Sequence, residues 1–195
     1  MSEAGEARIA PLPRDEWGDD VRDALQHAFP DNVVQRFLAT GDDALAVPNA
    51  ITTMLHHPAL AGEFLAYNNV LLWSGALEPR LRELMVLRIA NRTRSAYEWD
   101  QHVRLAARYG ITPEEIEFVA RGAPPGKWTP LESAVLAATD ELVDDYRIAD
   151  ETWRRLAEHL DQRQLVELVF VAGTYTCLAM AFNSFGLVSD AGAGS

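Results

Sequence analysis

Glu98 and His102 stand four residues apart, a spacing that stacks two side chains on one face of a helix. Leu105, Ala106 and Tyr109 continue that face, while Gln101, Arg104 and Arg108 fall on the other. Upstream, Glu83 shares a helical face with Val86, Leu87 and Ala90, so its carboxylate is either buried or lines a cavity. A carboxylate beside an imidazole holds one tautomer and tunes its pKa, and burial lifts a carboxyl toward neutrality. Two groups titrating near pH 7 exchange protons with a substrate at little cost. The same spacing also suits a plainer arrangement, with Glu98 capping the first turn of a helix and His102 hydrogen-bonded in the core.

These residues need helices to position them, and the punctuation of the chain supplies helices throughout. Apolar residues recur every three or four positions over 15–29, 50–57, 60–74 and 80–91, with Pro30, Pro58 and Gly75 as breaks. Glu78-Pro79 opens the fourth of these with proline in a favoured early position. Ser95 reads as the N-cap of a helix over 95–109, with Glu98 three residues on completing a capping box. Gly110 is its stop. Thr112-Pro113-Glu114-Glu115 and Thr129-Pro130-Leu131-Glu132 repeat the start grammar, and Ala123-Pro124-Pro125-Gly126 is the clearest linker. Helices over 151–159 and 162–186 complete the chain. No segment alternates like a strand, so an all-α bundle of about eight helices is expected.

Composition narrows the function. Among 195 residues the formal net charge is −12, and no basic cluster exceeds Arg92-Thr93-Arg94. Nucleic acid and anionic membrane surfaces are therefore unsuitable partners. A single cysteine, Cys177, excludes an intrachain disulfide, a CxxC redox centre and a cysteine-rich zinc site. The acidic, polar start, Met1 to Glu6, is unlike a signal peptide and suggests the cytoplasm. The 18 residues 165–182 are apolar enough to recommend a membrane check, but Glu167, Gly173 and Thr174 favour a buried core helix.

Three strings carry a resemblance: Arg82-Glu83-Leu84-Met85-Val86-Leu87-Arg88, then Tyr97-Glu98-Trp99 with His102, then Ala106 with Gly110-Ile111-Thr112. Together they resemble the carboxymuconolactone decarboxylase family, which includes alkylhydroperoxidase-D-like proteins. The similarity runs from about residue 49 to 186 and divides the chain into an N-terminal arm and helix, 1–48, and a helical domain, 49–190. It implies an all-helical fold assembling into dimers, trimers or hexamers. In the peroxidase branch two cysteines, a histidine and a helix-borne glutamate form a redox relay. Laid on this chain, the cysteine positions fall at Ser95 and Glu98, the histidine at His102 and the relay acid at Glu83. A serine and a carboxylate cannot cycle through a disulfide, so thiol peroxidase chemistry is disfavoured.

The resemblance then implies the other branch, a cofactor-free enzyme acting on a small molecule by proton transfer. Either His102 or Glu98 donates the proton, with Glu83 orienting His102. Tyr97 and Trp99 flank the Glu98 face, suited to substrate contact or to packing. Arg88 is suited to a substrate carboxylate or to a structural ion pair. No metal is expected: adjacent His56 and His57 diverge on a helix, and His57-Pro58 reads as a helix end. Cys177 reads as an inert core thiol. A peroxidase-related antioxidant and a non-catalytic scaffold are the alternatives. Arg82-Glu83-Leu84 and Val166-Glu167-Leu168 also echo one another, as a duplicated helical unit would.

Overall fold

The computed structural model describes residues 7–124 and 126–190; Met1 to Glu6 of the arm and Pro125 of the linker lie outside the described residues. The described residues contain helices and turns and no strand. They form two compact units, 7–74 with 185–190 and 75–184. This partition follows packing, whereas the boundary at 48/49 followed similarity.

The first unit contains α1 (Asp19–Ala28), α2 (Asp31–Leu38), α3 (Asn49–Met54) and α4 (Pro58–Trp73). Val21, Leu25, Val34, Phe37, Leu55 and Leu65 form its core with Trp17. Gly62 lets α4 lie close on α1, because a Cβ there would stand 3.2 Å from the Ala24 Cα. The reading of Pro30 as a terminator is correct for α1 but missed α2, which restarts at once with Asp31 in its first turn. Pro58 likewise begins α4, and His57 is its N-cap, Nδ1 accepting from the Leu60 N–H. The residues after 185 return to this unit: Asp190 accepts from the Asn49 N–H at 2.9 Å.

The second unit contains α5 (Pro79–Arg92), α6 (Ala96–Leu105), α7 (Pro113–Arg121), α8 (Pro130–Asp145), α9 (Asp150–Ala157) and α10 (Gln162–Phe185), whose last residue belongs to the first unit. α5 is central and packs against α6, α7 and α8. Nine of its residues are buried, including Arg82 and Glu83. Both Thr-Pro starts cap their helices as expected, and each closes into a capping box, Thr112 with Glu115 and Thr129 with Glu132. Arg80, near the start of α5, ties the two boxes together, donating to Glu115 at 2.6 Å and to Glu132 at 2.9 Å. It also reaches the carbonyl of Gly110, whose left-handed φ of 70° ends the turn after α6.

α10 departs from the expectation of a buried helix. Leu168, Val171, Tyr175, Leu178 and Phe182 face the core, but Val166, Phe170 and Met180 are more than half exposed. By length and hydropathy α10 could cross a membrane, although 56% of its apolar window is buried within the fold. Cys177 lies on the outer face and is exposed, correcting its assignment to the core. The echoed glutamates are both buried: Glu167 accepts from the N–H groups of Ala76 and Leu77, while Glu83 is engaged elsewhere.

Candidate active site

The site is created by the sharp connection between α5 and α6. Ser95 N–H donates back to the Ala90 carbonyl at 2.9 Å and Arg94 N–H to that of Asn91, with Arg94 left-handed at φ 56°. This is a Schellman closure in which Arg94 takes the place usual for glycine. Asn183 of α10 fixes the turn by donating to the Thr93 carbonyl at 2.9 Å. The chain therefore reverses within three residues, and α6 lies back along α5.

That reversal brings Glu83 and His102 together. His102 Nδ1 and Glu83 Oε1 are 2.8 Å apart, with the Glu83 side chain 3% exposed and the imidazole 14%. A carboxylate can only accept, so Nδ1 carries a proton and donates it to Glu83. Glu83, not Glu98, is the acid that orients the histidine.

Glu98, one turn before His102 on α6, has a different environment. It is 2% exposed, and neither carboxylate oxygen finds a hydrogen-bond donor among the described residues. Burial pushes its pKa from about 4.5 to about 8, the Ser95 hydroxyl beside it opposing only part of the rise. At neutral pH Glu98 is thus an uncharged carboxylic acid, able to donate a proton. The capping box expected for Ser95 and Glu98 does not form. Ser95 makes no side-chain cap, and its N–H is already committed to Ala90.

Tyr175 of α10 completes the cluster, its ring edge-on to the imidazole at 5.5 Å and 81°. Burial raises its phenol well above the ordinary range, and the charges of Glu83 and Glu98 add to this while Arg82 opposes it. It stays a proton donor at any physiological pH. Its place in the buried series Leu168, Val171, Tyr175, Leu178, Phe182 was the signal that it points inward. Arg82 was missed as a charge near the site; it is buried, and its guanidinium lies over the Tyr109 ring at 6.0 Å.

The remaining expected contacts are engaged in packing. Arg88 makes a two-pronged pair with Asp140 at 2.7 and 2.8 Å and donates to the Val119 carbonyl at 2.6 Å. It lines a cleft of about 260 Å³ with Phe118 and Trp128, and none of Glu83, Glu98 and His102 lines that cleft. Tyr97 is buried, edge-on to Phe182 at 5.2 Å. Trp99 is partly buried against a core of Leu84, Leu87, Ala106, Ile111 and Val119. Among the described residues no three His, Cys, Asp or Glu side chains converge as a metal cage.

The arrangement resembles known proteins in fold and in sequence. Residues 58–141, which carry Glu83, Glu98 and His102, match the carboxymuconolactone decarboxylase family. The uncharacterised protein YdfG of Bacillus subtilis is 29% identical over 92 residues, which span 46% of this chain and 63% of that protein. The chain thus covers less than two thirds of this curated relative. The AhpD core of a peroxidase-related protein from Ralstonia eutropha JMP134 superposes with a TM-score of 0.71 at 22% identity, covering 92% of each chain. The debrominase Bmp8 gives 0.69 at 16% identity, covering 94% of this chain and 92% of its own. The fold is that of an AhpD-like helical protein. The match to the carboxymuconolactone decarboxylase family spans residues 58–141, less than half of the chain.

Proposed function

We propose that this protein is a cofactor-independent acid/base enzyme, a decarboxylase-type lyase or an isomerase acting on a small organic acid or lactone in the cytoplasm. The observation that carries the reading is the pairing of a carboxylate-oriented imidazole with a neutral buried acid, Glu83–His102 with Glu98, where the peroxidase branch places its thiols. For a β,γ-unsaturated lactone acid, the bond to the carboxylate breaks, CO2 leaves, and its electron pair passes into a dienolate. Tyr175 and the protonated Glu98 are the donors suited to the developing oxyanion. Glu98, or His102 once its Nε2 has taken up a proton, then delivers that proton to the distal carbon, and Glu83 holds the ring in register throughout.

The test is CO2 release from a β,γ-unsaturated lactone carboxylic acid by the wild type, Glu98→Gln and His102→Ala. Both variants are expected to keep the helical circular dichroism and to lose turnover. Full rate in either removes that residue from the chemistry. Wild-type turnover is expected to fall above about pH 8, as Glu98 loses its proton. Peroxide reduction driven by a dithiol would instead favour the peroxidase-related reading. Absence of ligand binding, with a dry core around Glu98 and His102, would favour a scaffold.

A further inference from the structure

The cleft beside Arg88 takes no part in the chemistry above, and the residues around it explain why it exists. On α8, Ser133, Leu136, Ala137 and Asp140 follow at intervals of three, one and three, which is one face of the helix. Ser133 and Ala137 are small, so this face leaves room where larger side chains would close the packing. α7 ends at Gly122 with φ 96°, and a Cβ there would meet no atom within 4 Å. Beyond it the chain returns with Trp128, whose ring stands edge-on to Phe118 at 6.4 Å and 88°. The result is a mostly apolar cleft of about 260 Å³ with one ion pair, Arg88–Asp140, in its lining.

The two members of that pair are unequally satisfied. Arg88 gives Nε and Nη2 to Asp140 and Nη1 to the Val119 carbonyl, which uses three of the five N–H groups of a guanidinium. One N–H on each Nη atom has no acceptor among the described residues. Asp140 is shared, because Arg92 Nε stands 3.9 Å from the same oxygen that accepts from Arg88 Nε. Asp140 thus divides its charge between two arginines, while Arg88 keeps two spare donors and part of its positive charge. We propose that this cleft is a second small-molecule site, which binds a small aromatic carboxylic acid as its anion. The carboxylate takes the two spare N–H groups of Arg88, and the ring lies against Phe118, Trp128 and Leu136. Ser133 adds a hydroxyl to the same lining. A volume of about 260 Å³ lies below the ~300 Å³ at which drug-sized sites begin, so it suits one ring with a short acid arm. A cationic ligand would compete with Arg88 and Arg92 for Asp140, and a hydrocarbon would leave the Arg88 donors unmet. None of Glu83, Glu98 and His102 lines the cleft, so binding here is independent of their chemistry.

Proton–nitrogen correlation NMR of the full chain tests this, read at the indole N–H of Trp128, one of five tryptophans, whose signal Trp128→Phe identifies. The probe is phenylacetate, with phenylacetamide as its neutral counterpart and phenethylamine as its cationic one. Phenylacetate is expected to shift the Trp128 signal with a Kd of about 0.1–1 mM, the range for a ligand of about ten heavy atoms. The amide should bind at least about 10-fold more weakly, and the amine more weakly still. Ala137→Leu fills the cleft, leaves both members of the ion pair in place, and is expected to abolish the shift with unchanged circular dichroism. Ser133→Leu fills it one turn away and should do the same, which guards against a single variant that fails to fold. Arg88→Lys keeps the charge but loses the planar fork and should cost about 10-fold in affinity. His102→Ala should bind phenylacetate as the wild type does. No shift at about 10 mM phenylacetate overturns the proposal, as does amide or amine binding as tight as that of the acid. A shift that survives in folded Ala137→Leu or Ser133→Leu overturns it too. Loss of the shift in His102→Ala would place the acid at the Glu83–His102 site instead.

Discussion

Three segments of this chain carry the same helix-start signature, a hydroxyl residue followed three positions later by glutamate, and they come to opposite ends. At Thr112–Glu115 and Thr129–Glu132 the glutamate returns to the cap N–H, at 2.8 and 2.9 Å, and the threonine accepts from the glutamate N–H. Burial pushes both carboxyls up, but Arg80 and the cap donors outweigh it and hold each below the usual carboxylate range. At Ser95–Glu98 no such return takes place, and the carboxyl rises to about 8. The difference lies one turn upstream. Thr112 and Thr129 keep their N–H groups for their glutamates, whereas Ser95 has already given its own to Ala90 in closing α5. A capping box is thus conditional on how the preceding element ends. Where that element takes the cap donor, the same residues yield a buried neutral acid.

The largest expected effect follows from that acid. Folded Glu98 holds its proton to about pH 8, while the unfolded chain releases it near 4.5. Between these values the unfolded state binds fewer protons. This contribution to stability is therefore fully present below pH 4.5, is lost as pH rises, and levels off above about 8. Glu98→Gln removes the decline. Relative to wild type it should gain a few kcal/mol between pH 4.5 and 8, measured by urea denaturation across that range. Parallel curves would mean that Glu98 is charged and paired, as Glu132 is, and the contrast would collapse.

Much of this was legible in the chain. Proline, glycine and hydroxyl punctuation marks most of the helix starts and stops, because these residues act through local geometry. Glu83 and His102 were legible as inward-facing, since both share faces with apolar neighbours. Their partnership was given by the family resemblance and not by local pattern, because it depends on the three-residue reversal at Arg94, which no glycine announces. Similar reasons hid α2, whose eight residues follow directly on a proline stop, and the exposure of Cys177. The apolar content of α10 exceeds what one molecule can bury, and composition alone does not tell a core face from an exposed one.

A smaller effect sharpens the comparison at the hydroxyl. Thr129→Ala and Thr112→Ala each remove a working cap and should cost about 1 kcal/mol in urea or thermal denaturation. Ser95→Ala removes a buried hydroxyl that has no hydrogen-bond partner among the described residues, so its cost should be near zero or slightly negative. Equal losses at all three positions would show that Ser95 caps α6 after all.

The smallest effect concerns the residue that forces the difference. Arg94 sits at φ 56°, where a side chain other than glycine is strained by roughly 1–2 kcal/mol, while Gly110 and Gly122 hold the positive-φ positions that close the neighbouring segments. Arg94→Gly keeps the closure and relieves the strain, against the greater freedom that glycine has when unfolded. A net gain of about 0.5–1 kcal/mol is expected, read as a modest rise in melting temperature. The Ser95 N–H stays on Ala90 in this variant, so Glu98 should keep its raised pKa and the decline of stability above pH 4.5 should remain. A glycine variant that lost this decline would show that the arginine side chain, rather than the backbone closure, keeps Glu98 from capping its helix.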